Sequence, residues 1–218
     1  MAADGEFARK LFSGSCEFVA GAAALDALPE FRLPEVAFVG RSNVGKSSLI
    51  NALVNQKKLA RVSHTPGRTR QINLFRLRDR LLLADLPGYG FARVSKAEAA
   101  AWNELITGYL HTRRNLRRVM LLLDARRGIM ASDRQVMGLL DAAAASYQFV
   151  LTKADALKPA ELDEVRRVVS DEASQHPAAL SQTITTSADS GSGIAELRAI
   201  LAEFVAERTG GTSGNLGL

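Results

Sequence analysis

Residues 40–47 read Gly40, Arg41, Ser42, Asn43, Val44, Gly45, Lys46, Ser47: two glycines five positions apart, then a lysine and a hydroxyl. Glycines let successive backbone N–H groups turn inward and form a nest for phosphate oxygens. An apolar run at 36–39 precedes the segment and a helical pattern opens at Lys46, so a helix N-terminus adds partial positive charge to the nest. A lysine at this spacing reaches the outer phosphates of a bound nucleotide, and the following hydroxyl can ligate Mg2+. The competing reading is a glycine-rich turn that holds nothing, and the strand-before-helix context argues against it.

Four further segments fall in loops where the same ligand would extend. Thr152, Lys153, Ala154 and Asp155 follow an apolar run. A carboxylate there can accept two hydrogen bonds from the N1–H and 2-amino group of guanine, a donor pair adenine lacks. The stem of Lys153 can lie against the base. Alone, this string also describes a loop carboxylate capping the next helix. Thr186, Ser187 and Ala188 come one strand later, where backbone N–H groups can meet the guanine O6. Asp85, Leu86, Pro87 and Gly88 close another apolar run. Asp85 suits Mg2+ through water and the Gly88 N–H suits a γ-phosphate, although an ordinary strand-to-loop turn has the same composition. Thr69 lies in a polar loop with Gly67, Arg68, Arg70 and Gln71. A threonine there completes a Mg2+ shell when γ-phosphate is present and releases it after hydrolysis; Thr65 competes for the role.

These loops need a scaffold. Apolar runs at 36–39, 72–77, 81–86, 119–123 and 149–151 read as strands, with a weaker one at 180–186. Between them lie helical patterns: Leu49, Ile50, Leu53 and Val54; Trp102, Leu105, Ile106, Tyr109 and Leu110; Val136, Leu139 and Leu140; Leu162, Val165, Val168 and Val169 after Pro159; and Ile194 through Val205. Continuous apolar strands alternating with helices predict an α/β fold, a six-stranded mostly parallel sheet with helices on both faces, and ligands bind such sheets beyond the carboxyl ends of their strands. Residues 1–34 read as irregular. The division expected is an extension over 1–30, a nucleotide-binding domain over 31–208 and a disordered tail over 209–218.

The 218 residues are 47% hydrophobic and 23% charged, which excludes a disordered chain, a collagen and a coiled coil. One cysteine, Cys16, allows no intrachain disulfide and fits a reducing compartment; with no catalytic partner nearby it reads as a buried or idle thiol. No apolar run reaches membrane-spanning length, and MAADGEFARK lacks a signal-peptide core, so the expected location is the cytoplasm. His64, His111 and His176 have no metal-ligand spacing. The net charge of +5 is uneven. Residues 57–80 carry eight basic residues against one acidic, and 111–127 carry six against one. This predicts a basic face for a polyanion, with solvated surface arginines as the alternative. Arg113-Arg114 and Arg117-Arg118 recur at helical spacing, which fits either phosphate contacts or a solvated helix end.

The motifs in this order resemble the Era-like small GTPases. GRSNVGKSSLIN (40–51), TPGRTRQIN (65–73), DLPGYGFARVS (85–95), DARRGIMASD (124–133) and TKAD (152–155) resemble the EngB family of bacterial GTP-binding proteins, over residues 18–205. The resemblance implies a Ras-like P-loop GTPase fold binding GTP or GDP with Mg2+, and slow GTP hydrolysis. It also implies a switch role in large ribosomal subunit assembly, needed for normal cell division and septation. The nucleotide would be held by 40–47, Gly67–Gln71, 85–88, 152–155 and 186–188. Ser47 and Thr69 would be metal ligands, with Lys46, Thr69 and Gly88 at the reacting phosphate. The large-subunit precursor and its RNA are the expected partners, bound through a basic surface that the loops at 60–71 and 88–95 expose or hide; DNA, a membrane and self-association are not expected.

Ras-type sites place a water-orienting glutamine after the D-x-x-G glycine, and here that residue is Tyr89. Intrinsic turnover is therefore expected on the order of 10⁻³ s⁻¹ or below. In related GTPases an asparagine at the Asn43 position accompanies K+ in the role of an arginine finger; otherwise Asn43 only shapes the loop. Two other functions compete: a GTP-binding module of negligible hydrolysis that regulates a division protein, and a kinase on the same phosphate loop, against which Thr152–Asp155 argues.

Overall fold

The computed structural model describes residues 2–60, 71–90 and 95–206. Seven strands form one sheet: β1 (Cys16–Ala22), β2 (Glu35–Gly40), β3 (Ile72–Leu77), β4 (Leu81–Asp85), β5 (Leu116–Asp124), β6 (Tyr147–Thr152) and β7 (Ile184–Thr185). Their order is β1-β3-β4-β2-β5-β6-β7. Pairings of β2 with β4 and β5, of β5 with β6 and of β6 with β7 are parallel; β3 runs antiparallel to β1 and β4.

Strand β2 shows why the apolar runs are continuous. Its side chains alternate between two cores: Val36 and Phe38 enter one, Ala37 and Val39 the other. A central strand covered on both faces has no solvent side, so period-2 polarity disappears. The first core is closed by α1 (Ala2–Phe12), α2 (Lys46–Leu53) and α6 (Ile194–Ala206). The second is closed by α3 (Lys96–Thr112), α4 (Ala131–Ala142) and α5 (Pro159–Ala173). Ser95 caps α3 by accepting from the Glu98 amide while Glu98 returns a bond to the Ser95 amide, a capping box.

The sheet has one strand more than the sequence reading expected, and residues 1–34 are not irregular. Residues 16–22 form an edge strand against β3, bulged between Phe18 and Ala20, and α1 packs on α6. Cys16 is buried there, and burial pushes its thiol up to about 12. Two inward assignments also change. Met137, not Leu139, is fully buried on α4, and Val168 is 40% exposed on α5 while Val169 is buried. The tail at 209–218 lies outside the described residues. Among the described residues no helix is long and apolar enough to cross a membrane.

Candidate nucleotide site

The parallel register brings the carboxyl ends of four strands together: Phe38 of β2 lies beside Asp85, Gly40 beside Leu122 of β5, and Asp124 beside Thr152. The loop from Gly40 to Ser47 leaves β2 in this row and enters α2. Gly40 has no room for a side chain, because a Cβ would lie 2.9 Å from Val44 Cγ1 and 3.1 Å from the Leu122 carbonyl. Gly45 is required for another reason: its φ of 103° is left-handed. No side chain caps α2 and no acidic residue sits in its first turn. The first amides of the helix therefore remain free donors at its positive end.

Lys46 Nζ forms an ion pair with Asp85 at the end of β4, both side chains largely buried. Ser47 is half-buried on the neighbouring position. A hydroxyl and a carboxylate gathered beside an open helix terminus are the oxygen donors that Mg2+ takes. Thr69, the remaining expected ligand, lies outside the described residues, as do Thr65, Gly67, Arg68 and Arg70. Gln71 is exposed, its amide donating to Asn73 Oδ1.

The D-x-x-G loop is tied to the phosphate loop through Tyr89. Its carbonyl accepts from the Ser42 amide at 2.9 Å and from Ser42 Oγ at 3.3 Å, and its amide donates to the Gly40 carbonyl at 3.4 Å. Gly88 lies against Ser42. Leu86 and Pro87 are buried, and Pro87 offers its carbonyl to Trp102 Nε1 at 2.9 Å. Trp102 is thus more than helix core, since it braces this loop. The Tyr89 phenol turns away from the phosphate loop and donates to Asp133 Oδ1 at 2.7 Å. Burial and then the Asp133 charge raise the phenol well above its ordinary range. Arg41 points to the same side, its Nε close to Gly90.

On the other flank, Gly45, Thr152, Lys153, Asp155, Thr186 and Ala188 line one cavity. Asp155 is exposed in it. The Ser187 amide donates to the Ser192 carbonyl and that of Thr186 to the Leu151 carbonyl, so both are already engaged. Ala154 is held by the Thr186 carbonyl at 3.2 Å. Thr152 Oγ1 donates to the Val44 carbonyl at 2.6 Å, supporting the phosphate loop from below. Lys153 adopts a left-handed conformation, φ 57°. From there its Nζ reaches the Asn43 carbonyl at 2.6 Å and Asp124 Oδ2 at 2.9 Å.

Sequence reasoning assigned Asp124 no role. It is buried and takes three charged hydrogen bonds, one from Lys153 and two from Arg126. Burial alone would raise its carboxyl, but the bonds from Arg126 and Lys153 hold it at about 2. The available signal was a carboxylate directly after the apolar run 119–123, which the structure places in register with Thr152. Ser48 and Asp189 at the cavity wall had no such signal.

Residues 35–153 match the family model described as 50S ribosome-binding GTPase. The chain is 54% identical over 202 residues to a probable GTP-binding protein EngB of Rhodospirillum rubrum, covering 90% of this chain and 87% of that one. The chain belongs to the EngB family of GTP-binding proteins. An EngB counterpart in Caulobacter vibrioides is 53% identical over 194 residues, with 89% and 85% covered. The crystal structure of a probable GTP-binding protein EngB superposes with a TM-score of 0.64 at 26% identity, over 80% of this chain and all of that one. This EngB-family chain is therefore a GTPase, and the open helix terminus and the two tethered loops form its candidate nucleotide site.

The basic segments do not gather at that end. Arg126 and Arg127 lie there, but Arg78, Arg80, Arg114 and Arg117 lie where β4 and β5 begin, at the opposite pole. Arg117 and Arg118 sit on β5, not on a helix. Arg113 is drawn inward by the buried Glu35, and Arg118 stacks over Phe204 at 4.9 Å. Arg61, Arg68 and Arg70 lie outside the described residues.

Proposed function

We propose that this GTPase is a slow, Mg2+-dependent switch that acts in the cytoplasm on a precursor of the large ribosomal subunit, and that division and septation depend on it through that role. The observation carrying the reading is the single row of strand ends that joins the Lys46–Asp85 pair, the open terminus of α2 and the Asp155 cavity. The description of the matched family as ribosome-binding supports the choice of partner.

In the bound state Lys46 leaves Asp85 for the β- and γ-phosphates, and the free amides of 45–48 surround the phosphate oxygens. Ser47 and Thr69, with Asp85 beside them, would hold Mg2+, which would offset negative charge on the phosphates. Gly88 donates to the γ-phosphate. Asp155 accepts from the guanine N1–H and 2-amino group, with Lys153 along the base and the Ala188 amide toward O6. No side chain between Asp85 and Gly90 is free to orient water, because the Tyr89 phenol is committed to Asp133; turnover is therefore slow, on the order of 10⁻³ s⁻¹. Asn43, left-handed at φ 64°, is the position through which K+ would assist; identical turnover in K+ and Na+ removes that element.

The test is co-sedimentation with large-subunit particles in GDP, GTP-analogue and empty forms at two salt concentrations, beside a GTP-against-ATP titration. The expected result is guanine-selective binding and association with particles favoured by the GTP analogue. Equal displacement by ATP removes the base assignment. Particle binding that ignores nucleotide removes the switch. Salt-insensitive binding to a division protein, without particles, replaces the ribosomal role.

A further inference from the structure

Lys57, Lys58, Arg78, Arg80, Arg114 and Arg117 are all exposed, and none forms an ion pair among the described residues. They come from three connections that meet at the pole farthest from the nucleotide. Leu82 and Leu116 flank Glu35 on either side, so the chain at Arg80 and the chain at Arg114–Arg117 are about 10 Å apart across β2. The Lys57–Lys58 segment joins the same rim, since Gln56 Nε2 donates to the carbonyl of Cys16, which pairs with Leu77. The acidic groups nearby are Glu17 and Asp79, both beside Arg76, and Glu30, near Arg113.

Arg78 is held in place. The turn closed by the Arg80 amide on the Leu77 carbonyl has φ of 49° at Arg78 and 50° at Asp79, a two-residue bend that glycine or asparagine enters more easily. The Arg78 side chain lies across Gly14, where a Cβ would fall 1.5 Å from its Nε, and its amide donates to the Ser15 carbonyl. A strained backbone and a glycine seat thus present one guanidinium at the centre of the rim. Four of the six cations are arginines, whose planar fork matches phosphate.

We propose that this pole is a binding face for the backbone of structured RNA, engaged equally in the GTP and GDP forms because it lies at the far end of the sheet from the phosphates. It rests on the ribosomal reading only for the choice of RNA as the polyanion. A spread of cations over three separate segments suits contacts to phosphates and 2′-hydroxyls across a shallow groove rather than base readout.

The test compares the full chain with R78N/R80Q/R117Q and, separately, with K57A/K58A. The probes are a double-stranded RNA hairpin and large-subunit particles, each over a range of KCl. Expected is a loss of about tenfold in hairpin affinity for the triple variant, with the salt slope reduced by ~3. Particle affinity falls by the same factor in both nucleotide forms, GDP affinity stays at its wild-type value, and the melting temperature does not fall, since asparagine suits the left-handed backbone at 78. Undiminished binding of hairpin and particles by both variants overturns the face and leaves the ribosomal reading standing. Hairpin binding that depends on the face, with no particle binding by wild type in any form, supports the face and removes that reading. Competition by polyglutamate as effective as by RNA overturns the RNA assignment in favour of an acidic protein.

Discussion

Lys153 is the residue on which the two halves of the site hinge. Its ammonium lies between the Asn43 carbonyl and the Asp124 carboxylate, so the loop at 152–155 and the loop at 40–47 are positioned as a pair. Asp124→Asn removes a charged acceptor and keeps the shape. The expected result is about tenfold weaker GDP and GTP binding, from the loss of one charge-assisted bond worth ~1.5 kcal/mol, carried mainly by faster release and read by stopped-flow fluorescence of a labelled nucleotide. The same residue sets an acid limb. Its carboxyl is held at about 2, below the ordinary carboxylate value. The ionised form therefore stabilises the fold above pH ~4, and that contribution, on the order of 2 kcal/mol, fades as pH falls toward 2. Urea unfolding between neutral and strongly acid pH checks this, with Asp124→Asn lacking that part of the slope. The placement of Asp155 in a loop just beyond β6 was legible because spacing after an apolar run defines that loop. Asp124 was not, because its importance arises from the strand beside it.

Strands and helices divide in the same way. Runs such as 119–123 were readable because a strand buried on both faces must be apolar throughout. Strand β1 was not, since its burial is irregular and a bulge interrupts it. A helix as short as α1 owes its stability to its packing on α6, which local pattern does not encode. Arg113 is the clearest misreading. Its spacing fitted either a phosphate contact or a solvated helix end, yet it pairs with Glu35, which is fully buried. Glu35 also accepts from Tyr109 at 2.5 Å, and the Arg113 guanidinium reaches the Pro29 carbonyl at 3.0 Å. This cluster fastens the end of α3 to the start of β2. Arg113→Ala leaves an unpaired buried carboxylate and should cost about 3–5 kcal/mol, a fall of roughly 10 °C in melting temperature. Adding Glu35→Gln should restore part of it, and calorimetry of the single and double variants decides.

At the scale of the molecule the exposed arginines are divided between the two ends of the sheet. Which end each arginine would occupy depends on the direction of its strand, so the basic segments read as one face and proved to be divided. Nucleotide bound at one end stabilises the whole fold by mass action: at a hundredfold excess over Kd the gain is about 2.7 kcal/mol, or roughly 5–10 °C for a chain of this size. Thermal shift with GDP and Mg2+ should show that rise growing with concentration, while ATP at equal concentration should leave the melting temperature where it was.

Cys16, the lone thiol of the chain, sits shielded on the outermost strand where α1 closes over it. Both shielding and a suppressed thiolate slow its alkylation in the native state. An added maleimide is therefore a built-in clock: the pace of its capture counts how often that margin of the sheet peels away, without any engineered label.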